Sequence, residues 1–346
     1  MSLGPPPVPR ALTLWGTCAT RQRGNPIFPG YFVRAVSDRR AFLNTLLGSA
    51  AGLAAATALP SLVRAGSERA PLALTPLSDT LTLVTGAGGN VIVLTAREGV
   101  LLVDGGLAER TPELLKAIER VAGKRPVVTL FNTHWHWDHT GSNERLRKLG
   151  ARIIAHENTR LWLGTDVWSE WENRTYRRRP PEAAPTETFY KSGALKFGDE
   201  PVEYGYLPQA HTDGDIYVYF RSQNVLVAGG VVSVGSYPIL DYSTGGWIGG
   251  MANATQKLLD ITDDNTRIVP GTGPLQSKAD VAAEHEMLAT LQEDLWQLMR
   301  KGFGAEDMLA AGATRRFDAK WGSPDLFVTN GYRGLYGHVR ELRGVV

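Results

Sequence analysis

Four side chains able to bind a transition metal fall within six residues, in the segment Thr133-His134-Trp135-His136-Trp137-Asp138-His139-Thr140-Gly141. An apolar run, Pro126–Phe131, leads into the segment, and a helical pattern, Asn143–Leu149, follows it. The segment therefore connects an apolar strand to a helix. Alternation along an extended segment places His134, His136 and Asp138 on one side, while His139 points differently or begins the next turn. Neutral imidazole suits zinc, and three protein ligands plus water are the usual catalytic arrangement. A lone buried histidine is ordinarily structural. Three within six residues, with an aspartate among them, are read here as a metal site.

The rest of the body alternates strand and helix patterns. Leu81–Val84 and Val91–Thr95 read as strands around Gly86-Ala87-Gly88-Gly89, and Val100–Val103 is an apolar strand ending in Asp104-Gly105-Gly106. Leu114, Leu115, Ile118 and Val121 have helical spacing. Further strands are expected at Arg152–Ala155, Pro201–Tyr206, Ile216–Phe220, Asn224–Ala228 and Arg267–Val269, with helices at Met251–Leu259 and Lys278–Lys301. Residues 161–190 carry Trp162, Trp168, Trp171, Tyr176, Arg177-Arg178-Arg179 and Pro180-Pro181. They read as an insertion or lid beside a site, or as a solvated loop anchored by tryptophans.

Charge divides the chain. The whole of 346 residues carries a net charge of +2. Residues 1–70 hold eight arginines against Asp38 and Glu68, a net +6, which leaves −4 for the rest. A basic nucleic-acid-binding body is therefore not expected. The single cysteine, Cys18, excludes an internal disulfide framework and a four-cysteine zinc site. Arg39-Arg40 precede the small and apolar stretch Leu46–Leu59, which resembles a twin-arginine export leader with cleavage after Ala58 or Ala65. The stretch is too short and too interrupted by Gly48, Ser49 and Gly52 for a stable membrane anchor. The expected organisation is an N-terminal extension over 1–36, a signal peptide over 37–65, a catalytic domain over 71–301 and a C-terminal extension over 302–346 packing on it. The expected partners are the twin-arginine machinery and a small-molecule substrate, and the expected location is the periplasm or outside the cell.

The segment His134-Trp135-His136-Trp137-Asp138-His139 resembles the His-x-His-x-Asp-His signature of the metallo-beta-lactamase superfamily. The resemblance extends to Leu102-Val103-Asp104-Gly105-Gly106 upstream and to Ala210-His211-Thr212-Asp213-Gly214-Asp215 downstream. It implies an α/β fold, an αββα sandwich with metal at the edge between two sheets. It also implies a first metal site of His134, His136 and His211, with Asp138 and His139 contributing to a second. Asp104 is expected to order the loop beneath the metal by hydrogen bonding. Two positions depart from the family pattern: Gly230 stands where a bridging aspartate is expected, and Thr272 where a histidine is expected. Asp241 either substitutes as a ligand or supports a loop or ligand from behind. His156 reads as a structural or supporting histidine, and His285 and His338 as ordinary ones.

One firmly bound Zn²⁺ is therefore expected, with a zinc-activated hydroxide attacking a carboxylic ester, lactone or beta-lactam-like amide. Asp138 is the expected proton acceptor and His139 the expected hydrogen-bond donor to the tetrahedral intermediate. The alternative is a non-catalytic metal-binding or scaffold protein derived from the same fold. The leader reading has its own test. Replacing Arg39 and Arg40 with lysine is expected to retain the protein in the cytoplasm on cell fractionation, and undiminished export of that variant would overturn the twin-arginine assignment.

Overall fold

The apolar runs assemble into two sheets in the computed structural model, which describes residues 71–338. Cys18, the 1–36 extension, the 37–65 leader and residues 339–346 lie outside the described residues. The first sheet has the order β1 (Ala73–Pro76), β2 (Leu81–Thr85), β3 (Val91–Ala96), β4 (Gly99–Val103), β5 (Val127–Phe131), β6 (Arg152–His156) and β9 (Glu187–Phe189). Strands β1 to β4 pair antiparallel, and β4, β5, β6 and β9 pair parallel. The second sheet has the order β10 (Ser192–Phe197), β11 (Glu200–Tyr206), β12 (Ile216–Phe220), β13 (Val225–Gly229) and β14 (Arg267–Pro270), with β13 and β14 parallel. A separate hairpin joins β7 (Val167–Ser169) to β8 (Arg174–Tyr176).

Strand periodicity explains the layers. Leu81, Leu83, Leu94, Leu101 and Val103 face Val202, Ile216, Val218 and Val227 across the gap between the sheets. Their neighbours Val84, Val93, Val100 and Leu102 pack on Leu114 and Ile118 of α1 (Thr111–Ala122). Both faces of these strands are covered, which is why they are apolar throughout instead of alternating. On the far side of the second sheet, Tyr219, Leu226 and Ile268 pack against α5 (Ile248–Ile261) and α6 (Lys278–Arg300). The result is the αββα sandwich. Ser277 caps α6 in a reciprocal box with Asp280. Beyond it, α7 (Ala305–Ala310), α8 (Arg315–Trp321) and α9 (Asp325–Gly337) insert Met308, Trp321 and Phe327 into the same outer core. Among the described residues, no helix is long and apolar enough to cross a membrane.

The described residues also include three short helices, α2 (Trp137–Thr140), α3 (Asn143–Lys148) and α4 (Glu157–Leu163). The long elements agree with the hydrophobic pattern to within a few residues. The pattern misses β1, β10, the pieces between 157 and 189, and the helices α7 to α9. Strand β10, Ser-Gly-Ala-Leu-Lys-Phe, lies at the edge of its sheet and remains half-exposed along most of its length. Strands β7, β8 and β9 have three residues each, too few to show a period.

One buried carboxylate joins the outer helices to the loop that follows β13. Glu284 of α6 is 1% exposed and accepts the Ser233 backbone N–H at 3.1 and 3.2 Å. Burial pushes its carboxyl up to about 8, although the hydrogen bonds from Ser233 pull the other way. A carboxyl whose pKa rises on folding stabilises the native state fully below its unfolded value, about 4.3. That contribution is lost as the pH climbs through the folded value. Thermal denaturation should therefore show Glu284→Gln gaining on the wild type between about pH 4.3 and pH 8, then holding a level difference. A difference that is constant across this range would show that Glu284 ionises in the fold as it does in the unfolded chain.

Candidate metal centre

The residues at the carboxyl ends of β4, β5, β13 and β14 converge at one edge of the sandwich. The loop after β5 carries His134 and His136, and the segment after β11 brings in His211. One ring nitrogen from each of the three histidines lies within 4.8 Å of the others. His136 Nδ1 and His211 Nε2 are 3.0 Å apart. Tetrahedral zinc with bonds of about 2.0–2.1 Å places its nitrogens roughly 3.3 Å apart, a spacing close to that of the His136–His211 pair.

Each imidazole is held from its outer nitrogen. His134 Nδ1 lies 3.0 Å from Thr133 Oγ1, His136 Nε2 lies 3.1 Å from Asp241 Oδ2, and His211 Nδ1 donates to the Ile239 carbonyl at 2.7 Å. The nitrogens left over are His134 Nε2, His136 Nδ1 and His211 Nε2, which share the centre. Outer-nitrogen partners of this kind fix the tautomer and ring orientation of metal-binding histidines. Burial, reinforced by repulsion from the neighbouring histidines, holds the His134 pKa well below its ordinary value. Burial and His136 lower that of His211 to about 4. Both rings are thus neutral at physiological pH, the state in which imidazole accepts a metal.

His139 is organised differently. Its Nδ1 donates to Asp104 Oδ2 at 2.8 Å, and its Nε2 lies 3.5 Å from Asp138 Oδ2. Burial opposes its charge, but Asp138 and Asp104 outweigh burial and raise its pKa to about 9. Asp138 stays ionised: burial works against it, and His139 and His136 hold its pKa below the usual carboxylate range. Extended alternation ends at His136, because Trp137–Thr140 forms a helical turn. Asp138 therefore projects from the first turn of α2, and does not continue the face shared by His134 and His136.

Asp104 Oδ1 accepts the Thr133 N–H at 2.8 Å, and Oδ2 accepts the Thr133 hydroxyl at 2.7 Å. Asp241 lies behind His136 and also accepts the Thr244 hydroxyl at 2.6 Å, so it faces the outer nitrogen and is outside the three-histidine cluster. A Cβ built on Gly230 would lie 2.3 Å from His211 Cδ2, so the imidazole of His211 fills the space a side chain there would need. Thr272 lines the adjoining cavity. His156 accepts the Asn158 N–H to cap α4 and stacks on Tyr206 at 3.8 Å between ring centroids. His285 pairs with Thr255 and Ala252 along α5, and His338 stacks on Trp247. All three are structural.

The cavity above the histidines has a volume of about 570 Å³. The tryptophans divide: Trp137 and Trp171 line it, while Trp135 is buried beside Leu163 and Val167 and donates to Thr244 Oγ1 at 3.1 Å. Trp168 is exposed. Arg174, Tyr176 and Arg179 also line the cavity, so part of the 161–190 segment forms its wall. Of these, Arg174 carried no sequence signal. The partners Thr133 and Ile239 were equally invisible, since one acts through a hydroxyl common in loops and the other through its backbone.

Comparison with known proteins gives one family. The model for the metallo-beta-lactamase superfamily matches residues 84–279. Metallo-beta-lactamase type 2 of Bacillus cereus is 26% identical over 185 residues, covering 53% of this chain and 66% of that protein. Metallo-beta-lactamase type 2 of Bacillus sp. (strain 170) is 26% identical over 190 residues, 55% of this chain and 68% of that protein. The chain thus spans about two thirds of the length of these relatives. Among solved structures, a metallo-beta-lactamase from Pontibacter korlensis superposes with a TM-score of 0.52 at 22% identity, covering 63% of this chain and 99% of that one. The DIM-1 metallo-beta-lactamase gives a TM-score of 0.52 at 19% identity, covering 64% and 98%. At these identities the superpositions establish the fold.

The Gly230 contact generates a test. Gly230→Asp places a carboxylate at the departing position, but only by displacing His211. Zinc affinity, measured by competition with a chromophoric chelator, should fall about tenfold or more. Elemental analysis showing a second zinc gained with the first retained would contradict this expectation.

Proposed function

Since this chain belongs to the metallo-beta-lactamase superfamily, we propose that it is a zinc-dependent hydrolase of a carboxylic ester, lactone or amide, the last including beta-lactam-like rings. The observation that carries the reading is the histidine cluster, in which each outer nitrogen is engaged and each inner nitrogen is turned to a common centre. His134, His136 and His211 would hold one zinc firmly. Zinc in such a site supplies Lewis acidity and a potent nucleophile at neutral pH.

The protein's own groups divide the remaining work. Asp138 is 40% exposed at its side chain and ionised, so it can orient the attacking water and accept its proton. His139, held protonated between Asp138 and Asp104, donates a hydrogen bond to the oxygen on which negative charge develops. Asp104 and Asp241 keep their histidines oriented and touch no substrate. Trp137 and Trp171 give the cavity apolar surface and exclude water from the reacting centre. A second metal is not part of the proposal, because Gly230 offers no ligand atom and Thr272 only a neutral hydroxyl. A single-metal site suits carbonyl substrates better than phosphodiesters, which ordinarily use two metals. Export through the twin-arginine route is proposed alongside, on the Arg39-Arg40 pair and the apolar stretch that follows.

Elemental analysis of the purified protein should give one zinc per chain. A screen of esters, lactones and beta-lactams should find turnover that His211→Ala lowers by at least about a thousandfold, as expected when an essential catalytic group is removed. Zinc bound at full occupancy with no turnover across the screen would favour a non-catalytic metal-binding protein. Two zincs per chain would mean that other residues complete a second site.

A further inference from the structure

The cavity that holds the histidines is also lined by two guanidinium groups that stack on aromatic rings. Arg174 lies on β8, and its Cζ is 4.5 Å from the ring centroid of Tyr176 and 5.4 Å from that of Trp137. Arg179 approaches Trp137 at 5.2 Å. Both line the same cavity as His134, His136 and His211. Neither forms an ion pair among the described residues. The polar contact of Arg179 is a long one, 3.4 Å from Nη2 to the Gly141 carbonyl. The other arginines of this segment are differently placed: Arg177 pairs with Asp166 at 2.7 Å, away from the cavity.

Physical cost makes the arrangement informative. Arg179 is half-buried, and loss of hydration lowers its pKa, with Glu144 only partly offsetting the loss. Stacking engages the face of a guanidinium and leaves its in-plane N–H donors available to a ligand. The guanidinium plane is well suited to a carboxylate, which it can grip through two parallel hydrogen bonds. Two acidic side chains of the cavity are engaged elsewhere: Glu172 accepts the Tyr176 hydroxyl at 2.8 Å, and Asp138 lies against His139. The stacked rings hold both arginines in place before any ligand arrives, so little ordering entropy is spent on binding.

We propose that Arg174 and Arg179 form a carboxylate-binding subsite, and that the substrate carries a carboxylate separate from the carbonyl presented to the histidines. This rests on the hydrolase reading only in calling the ligand a substrate; the subsite itself is a statement about binding. Its position on the β7–β8 hairpin and the segment that follows makes it a specificity device, since these residues are remote in sequence from the metal ligands and share a cavity with them.

The test uses zinc-loaded protein with benzoate and benzamide, which differ in charge but little in shape. Binding is read by tryptophan fluorescence, for which Trp137 and Trp171 are the reporters. Wild-type protein should bind benzoate roughly tenfold or more tightly than benzamide, and Arg174→Gln, Arg179→Gln and the double variant should lose that preference stepwise with benzamide binding unchanged. Any direct contact of benzoate with zinc is common to all four proteins and cancels in the comparison. Equal benzoate affinity in the wild type and the variants, or no saturable benzoate binding, would falsify the subsite. If Arg179→Gln fails to fold, the exposed Arg174→Gln alone decides the matter. Charge-selective binding without hydrolysis of any ester sinks the hydrolase reading alone, whereas hydrolysis that treats 4-acetoxybenzoate and phenyl acetate alike in every variant sinks the subsite alone.

Discussion

Asp104 accepts three hydrogen bonds, from the Thr133 N–H, the Thr133 hydroxyl and His139 Nδ1, at 2.7 to 2.8 Å and with 1% of its surface exposed. The histidine loop depends on this carboxylate. Thr133 gives its hydroxyl proton to Asp104 and so can only accept from His134 Nδ1, which leaves His134 Nε2 as the lone-pair nitrogen facing the centre. The orientation of one imidazole of the cluster is thereby set through two intervening hydrogen bonds. Asp104 itself has a φ of 63°, in the left-handed region that costs an ordinary residue about 1–2 kcal/mol. Its three hydrogen bonds over-determine that conformation. Removing one partner from such a buried charged network typically costs about 3–5 kcal/mol, far more than any exposed ion pair on the surface contributes.

The centre also depends on both halves of the sandwich meeting at one edge. The Ile216 N–H of the second sheet donates to the Thr133 carbonyl at 2.9 Å, directly beneath the histidine loop. Asn90, in the turn leading into β3, donates through its side chain to the Pro270 and Gly273 carbonyls at and beyond the end of β14. His211 arrives from the second sheet and is held by a carbonyl at Ile239, while His134 and His136 arrive from the first. Each of these links satisfies a buried polar group that would otherwise oppose folding. Packing of the two sheets and assembly of the site are consequently one process. Glu284 extends the same logic outward, since its acceptance of the Ser233 N–H ties the loop at the cavity rim to α6.

Much of this was legible in the residue pattern. Strands covered on both faces leave continuous apolar runs such as Val100–Val103, and amphipathic α1 leaves Leu114 and Ile118 at helical spacing, so the layered α/β class could be read directly. The motif around His134 was legible because metal ligands of this density have no structural explanation. Short elements were not. Three-residue strands have no period, and the helical turn at Trp137–Thr140 interrupts an alternation that looked continuous through Asp138. Trp135 and Trp137, two residues apart and chemically identical, part ways for the same reason: one is buried against Leu163 and Val167, the other lines the cavity beside two guanidiniums.

By itself, then, the sequence determined the layered fold, the segment that carries the clustered histidines, and the lack of a carboxylate or imidazole at Gly230 and Thr272. These are properties of local pattern and of side-chain chemistry, which need no distant partner. Only the tertiary structure decided which imidazole nitrogen faces the centre, that Asp241 stands behind His136, that His211 occupies the space beside Gly230, and that Arg174 shares a cavity with the histidines. These are contacts between residues up to about a hundred positions apart. Their geometry follows from how two sheets close on one another, and no local pattern encodes that closure.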